Sequence, residues 1–137
     1  MIRTLALPLG LTAALFSAAS QPASSATRQD SPREITVTAR RFSFEPSRIE
    51  VAQGERVRLL VVSADGVHGL EIKKFKVKQE IPRGTTPVTI EFTATEVGEF
   101  PILCSEYCGE GHNDMKGQLV VLSRDGQAPE EKPDAPT

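Results

Sequence analysis

Within one short stretch the chain places Cys104, Cys108, His112 and Met115, so that successive donors are four, four and three residues apart. Two thiols, an imidazole and a thioether form a soft donor set, which selects copper or zinc over magnesium or calcium. Gly109 and Gly111 lie inside the segment and let the backbone turn tightly enough for these side chains to converge on one point. The only other histidine, His68, lies between Gly66 and Gly69 at the end of an apolar run. Turns at the same end of neighbouring strands meet in space, so His68 can join the cluster from far away in sequence.

The metal follows from what each donor can do. A four-ligand structural zinc site gains nothing from Met115, because a thioether is a poor zinc ligand. A mononuclear blue-copper centre would take His68, Cys108, His112 and a weak axial Met115, and would leave Cys104 without a task. Two thiolates bridging two copper ions, with one histidine on each ion and weaker axial ligands from Met115 and a main-chain carbonyl between the cysteines, use every donor. A plain disulfide or a redox pair is the bland alternative for the cysteines. A Cys-x-x-x-Cys with a remote histidine also fits copper chaperones of the thioredoxin fold, but that fold needs βαβ units.

The segments around the cluster are strands. Ile35, Val37 and Ala39 alternate with Thr36 and Thr38, the period of a half-buried strand over Glu34 to Ala39, with Phe42 and Phe44 continuing it. Pro46 interrupts, Ile49 and Val51 resume, and Gln53-Gly54 supplies a turn before an apolar strand from Val57 to Val62. Leu70 to Val77, Val88 to Ala94, Gly98 to Cys104 and Gly117 to Leu122 complete seven or eight short strands. No segment carries a helical stripe longer than a turn or two. The pattern predicts a single all-β domain, a Greek-key β-sandwich.

The 137 residues, 39% hydrophobic, suffice for one core without a disulfide framework, and the two cysteines are too few to build one. A formal net charge of −2 argues against a nucleic-acid binder. Residues 1–26 read as an export signal, with Arg3, an apolar stretch from Leu5 to Ala19 and a small-residue end at Ser24-Ser25-Ala26. That stretch is shorter than a membrane span needs and contains Pro8 and Gly10. The expected order is therefore a signal at 1–26, a flexible lead-in at 27–33, the folded domain at 34–122 and a disordered tail at 123–137, rich in proline and charge. In the oxidising space outside the cytoplasm, two free cysteines call for a reason such as metal.

The pattern His68, then Cys104-x-Glu106-x-Cys108-x-x-x-His112-x-x-Met115, resembles the binuclear copper A site of cytochrome c oxidase subunit II. The stretch Phe42-Ser-Phe44-Glu-Pro46-Ser-Arg-Ile49-Glu-Val51-Ala-Gln-Gly54 resembles the opening strands of the cupredoxin fold that carries it, and the likeness runs from about Glu34 to Leu122. The resemblance implies that Cys104 and Cys108 bridge two coppers, with His68 and His112 as terminal ligands. It also implies an axial Met115 on one copper and the main-chain carbonyl of Glu106 on the other. A glutamate between the cysteines, where related nitrous oxide reductases place a tryptophan, favours the oxidase branch.

The function implied is electron transfer from a cytochrome c or similar donor to a terminal oxidase, at the outer face of the cytoplasmic membrane or in the periplasm. Membrane contact would come through a complex or an uncleaved leader. Subunits II with spanning helices and a tryptophan-rich donor-facing stretch differ from this chain, which has no tryptophan; its shortness resembles the compact oxidase type. A free exported electron carrier, blue-copper-like or linked to denitrification, and a copper-delivery protein for oxidase assembly are the alternatives. No acid, base or nucleophile suited to substrate chemistry surrounds the cluster, so the isolated domain is expected to move electrons and catalyse nothing. Lys74, Lys76 and Lys78 are expected to share the outer face of one strand, either as a solvated edge that discourages pairing or as a docking patch for an acidic partner.

Overall fold

The computed structural model describes residues 31–129. The expected export signal and most of the expected tail lie outside them. The described residues form nine strands in two sheets. In chain order the strands are β1 (Arg33–Arg40), β2 (Ser43–Glu45), β3 (Arg48–Ala52), β4 (Arg56–Ser63), β5 (His68–Ile72), β6 (Val77–Ile81), β7 (Gly84–Thr93), β8 (Gly98–Leu103) and β9 (Lys116–Leu122). One sheet has the order β2-β1-β4-β7 and the other β3-β9-β8-β5-β6. The chain passes from sheet to sheet repeatedly, which makes β1 parallel to β4 and β3 parallel to β9. This is the expected all-β sandwich.

Alternation produces the core. In β4, Val57, Leu59, Val61 and Ser63 point inward while Arg58, Leu60 and Val62 are only half-buried. Val37 and Ala39 of β1, Val51 of β3, Leu70 and Ile72 of β5, Ile102 of β8 and Leu119 and Val121 of β9 meet them, all fully buried. Each of the Val, Leu and Ile side chains contributes about 1.5–3 kcal/mol by leaving water. No disulfide is formed between the two cysteines, so burial and the ladders hold the sandwich together.

Two expectations about strands are corrected. Phe42 and Phe44 do not continue β1: the chain turns at Arg41-Phe42, and β2 runs back antiparallel, pairing Ala39 with Phe44. Leu70 to Val77 is not one strand either. A 3-10 turn over Lys73–Phe75 and a left-handed Lys76 (φ 56°) reverse the chain, so that Val77 pairs with Ile72 in a hairpin. The reversal lets Phe75 leave the ladder and pack on Phe92 and Phe100, with ring centroids 5.3 and 5.1 Å away. Lys74 and Lys76 therefore lie in the turn rather than on a strand face with Lys78.

Candidate metal centre

Two ladders deliver the donors to one end of the sandwich. The β8–β9 pairing sets Leu103 opposite Lys116, and the Cys104 N–H donates to the Met115 carbonyl at 3.3 Å, so the first and last donors of the loop face each other just beyond the ladder. Between them the loop closes on itself: His112 N–H donates to the Gly109 carbonyl at 3.0 Å and Met115 N–H to the His112 carbonyl at 3.2 Å. Gly109 has φ of +136°, which a side chain would strain. On the neighbouring strand, β5 opens with His68 itself. Gly69 allows that strand to approach: a Cβ there would lie 2.8 Å from the Glu106 nitrogen and 2.9 Å from the Ser105 nitrogen, and would run into Ser105 Oγ.

All six predicted donor positions converge. One nitrogen of His68 and the sulfurs of Cys104 and Cys108 lie within 4.8 Å of one another, and all three residues are buried. Cys104 Sγ is 3.8 Å from Cys108 Sγ, too far for a bond, and 3.9 Å from His68 Nδ1. Cys108 Sγ is 3.8 Å from His112 Nδ1 and 3.8 Å from Met115 Sδ. The Cys104 thiol donates to the Glu106 carbonyl at 3.1 Å, so at position 106 the main chain, not the carboxylate, faces the cluster. Burial, together with the neighbouring Cys104, pushes the Cys108 thiol up to about 11. Two free thiols, two imidazoles, a thioether and an inward carbonyl are a donor set that fits copper.

Three further residues hold this arrangement and were not identified as site residues from the sequence. Asp65 Oδ1 lies 2.8 Å from His68 Nε2, which leaves Nδ1 to face the sulfurs. The Arg41 N–H donates to Asp65 Oδ2 at 2.9 Å, and this bond leads the causes that hold the Asp65 carboxyl below the usual carboxylate range. The Asp65-x-x-His68 spacing was the available signal. The Phe42 ring lies over the loop, so close to Gly111 that a Cβ there would meet ring carbon at 2.5 Å. His112 is half-buried with Tyr107 beside it, ring centroids 5.8 Å apart. Among the described residues the exposed large hydrophobics are Phe42, Val67 and Tyr107, each in or against the segments that carry the donors.

A two-sheet sandwich closed at one end by a buried thiol, imidazole and thioether cluster defines a cupredoxin, a class of copper-binding electron-transfer domain. The cupredoxin-like domain family matches residues 7–121. Cytochrome c oxidase subunit 2 of Thermus thermophilus is 35% identical over 95 residues, covering 68% of this chain and 70% of that protein. A second, longer subunit 2 from a strain of the same species is also 35% identical over 95 residues, and the match spans 56% of its length. The crystal structure of the periplasmic domain of subunit II of cytochrome oxidase from Bradyrhizobium japonicum superposes with a TM-score of 0.60 at 20% identity, covering 67% of this chain and 85% of that domain. The chain belongs to the cytochrome c oxidase subunit 2 family, with a cupredoxin-like domain.

Proposed function

We propose that this chain holds two copper ions in a thiolate-bridged centre and relays single electrons from a donor such as cytochrome c to a terminal oxidase. The observation that carries the reading is the approach of two unbonded sulfurs to 3.8 Å with a histidine nitrogen beside each. When bound, a pair of copper ions supplies a one-electron couple whose charge change is shared between both metals. Cys104, Cys108, His68 and His112 would hold the ions, with Met115 and the Glu106 carbonyl as the weaker donors.

The chain's own part is to hold the donors still and dry. His68, Cys104, Cys108 and Met115 are all buried, so water is kept from the sulfur side of the cluster. The ladders of β5, β8 and β9 fix the segments that carry the donors, which limits movement when an electron arrives or leaves. Asp65 orients the His68 ring, and partners of this kind set both ligand direction and basicity. Half-buried His112 and exposed Tyr107 and Val67 form the side open to a redox partner. The folded domain is assigned to 34–122 behind a signal at 1–26, in keeping with a periplasmic position.

The reading is tested by loading the protein with copper, counting the metal and recording its electron spin resonance spectrum. Two coppers per chain sharing one unpaired electron are expected. One copper, or copper that a mild chelator strips from the reduced protein, would instead support a mononuclear carrier or a delivery protein. Co-fractionation with membranes would separate an oxidase-bound subunit from a free carrier.

A further inference from the structure

We propose that Arg41 is a positioning residue of the metal centre, tying the Cys108 half of the loop to the turn that carries His68 and raising the reduction potential of the centre. The electrostatic half of this inference rests on the copper reading; the mechanical half does not. Arg41 stands at the turn after β1 and reaches both sides of the site. Its Nε–H donates to the Cys108 carbonyl at 2.8 Å, across 67 positions of sequence. Its main-chain N–H donates to Asp65 Oδ2 at 2.9 Å, and Asp65 Oδ1 is 2.8 Å from His68 Nε2. The guanidinium lies between the two segments: Cβ atoms built on Gly66 and Gly109 would be 3.5 Å from Nη2 and 3.9 Å from Nε.

The physical consequences are two. Fixing the Cys108 carbonyl fixes the peptide plane that follows Cys108, at the point where Gly109 would otherwise let the loop rotate. The same bond comes from a permanently charged donor, and a fixed positive charge beside a centre that gains an electron favours the reduced form. Arg41 is exposed, so this effect is open to screening by salt. Phe42, the next residue, presses on Gly109 and Gly111, so the turn clasps the loop by packing as well as by hydrogen bonding.

Two measurements on the full chain test the assignment. In the metal-free protein, amide exchange across residues 109–112 should rise roughly tenfold or more in Arg41→Gln, the size expected for losing a hydrogen bond to a charged donor. In the copper-loaded protein, the reduction potential of Arg41→Gln should fall, and fall further at low than at high ionic strength. Arg41→Lys keeps the charge without the planar fork; it should hold the potential near the native value while still loosening the loop. Native exchange rates in the glutamine variant, or a potential unmoved at low salt, would overturn the proposal. Should that variant not fold, native exchange rates in the lysine variant would do the same. A native chain that takes up no copper would refute the copper reading alone, and the exchange comparison would still decide whether Arg41 clamps the loop.

Discussion

His68 Nδ1 lies 3.9 Å from Cys104 Sγ although the two residues are 36 positions apart in sequence. His68 opens β5 and Cys104 follows the last residue of β8, and the ladder between those strands pairs Glu71 with Leu103. That pairing sets the level at which imidazole and thiol meet.

Replacing Cys104 by serine removes one of the two sulfurs while leaving Cys108, His112 and Met115 in place. The copper-loaded variant is expected to give the spectrum of a single copper or to bind none. A binuclear spectrum retained in Cys104→Ser would refute the bridging role.

Gly69→Ala places a methyl group against the main chain at Ser105 and Glu106, whose nitrogens would be 2.9 and 2.8 Å away. Backbone cannot swing aside as a side-chain tip can, so β5 must shift away from the metal loop. A destabilisation of about 1–3 kcal/mol is expected, read from the denaturant midpoint. Copper uptake should weaken with it, because His68 is the adjacent residue. Native copper affinity in this variant would show that the close approach is not needed.

Asp65→Ala frees the His68 ring without touching a sulfur. Loss of such a partner typically weakens metal binding ~10–100-fold, and competition with a chelator measures it. The fold should persist, since Asp65 is a half-buried turn residue rather than part of the hydrophobic core. Unchanged affinity would mean that packing alone orients the ring.

Lys74 and the metal lie toward opposite ends of β8, whereas Lys78 pairs with Glu71, which itself pairs with Leu103 next to Cys104. Lys74 pairs with Glu96, just before β8, while Cys104 follows its last residue. Six residues of strand span roughly 20 Å, about two Debye lengths at 0.1 M salt. Changing Lys74 to glutamate should therefore leave the electron-transfer rate from a donor cytochrome within about twofold at that salt. Tyr107→Ala, beside His112, should slow it by on the order of tenfold, the effect of removing an aromatic anchor from an interface. Stopped-flow rates with both variants check the pair; the opposite ranking would move docking to the lysine end.

Much of the fold was legible because burial writes a period into a strand. Val57, Leu59 and Val61 alternate in the chain and point inward in β4. The breaks were harder to see. Nothing in Lys73 to Val77 separates one long strand from two strands and a 3-10 turn, because the decision rests on where Phe75 packs, against Phe92 and Phe100 from other strands. Phe42 misled for the same reason: it alternates with Phe44, yet its ring belongs to Gly109 and Gly111 of the metal loop.

The sequence by itself determined the donor chemistry and the class of scaffold. Ligand preference resides in residue identity, and the spacing of Cys104, Cys108, His112 and Met115 needs only a tight loop to converge. The tertiary structure alone decided how the site is held: which nitrogen of His68 faces the sulfurs, that the main chain of Glu106 points inward, and that Arg41 reaches Cys108. Hydrogen bonds between residues 24 or 67 positions apart leave no periodic trace in the chain, so they come into being only when the two sheets close.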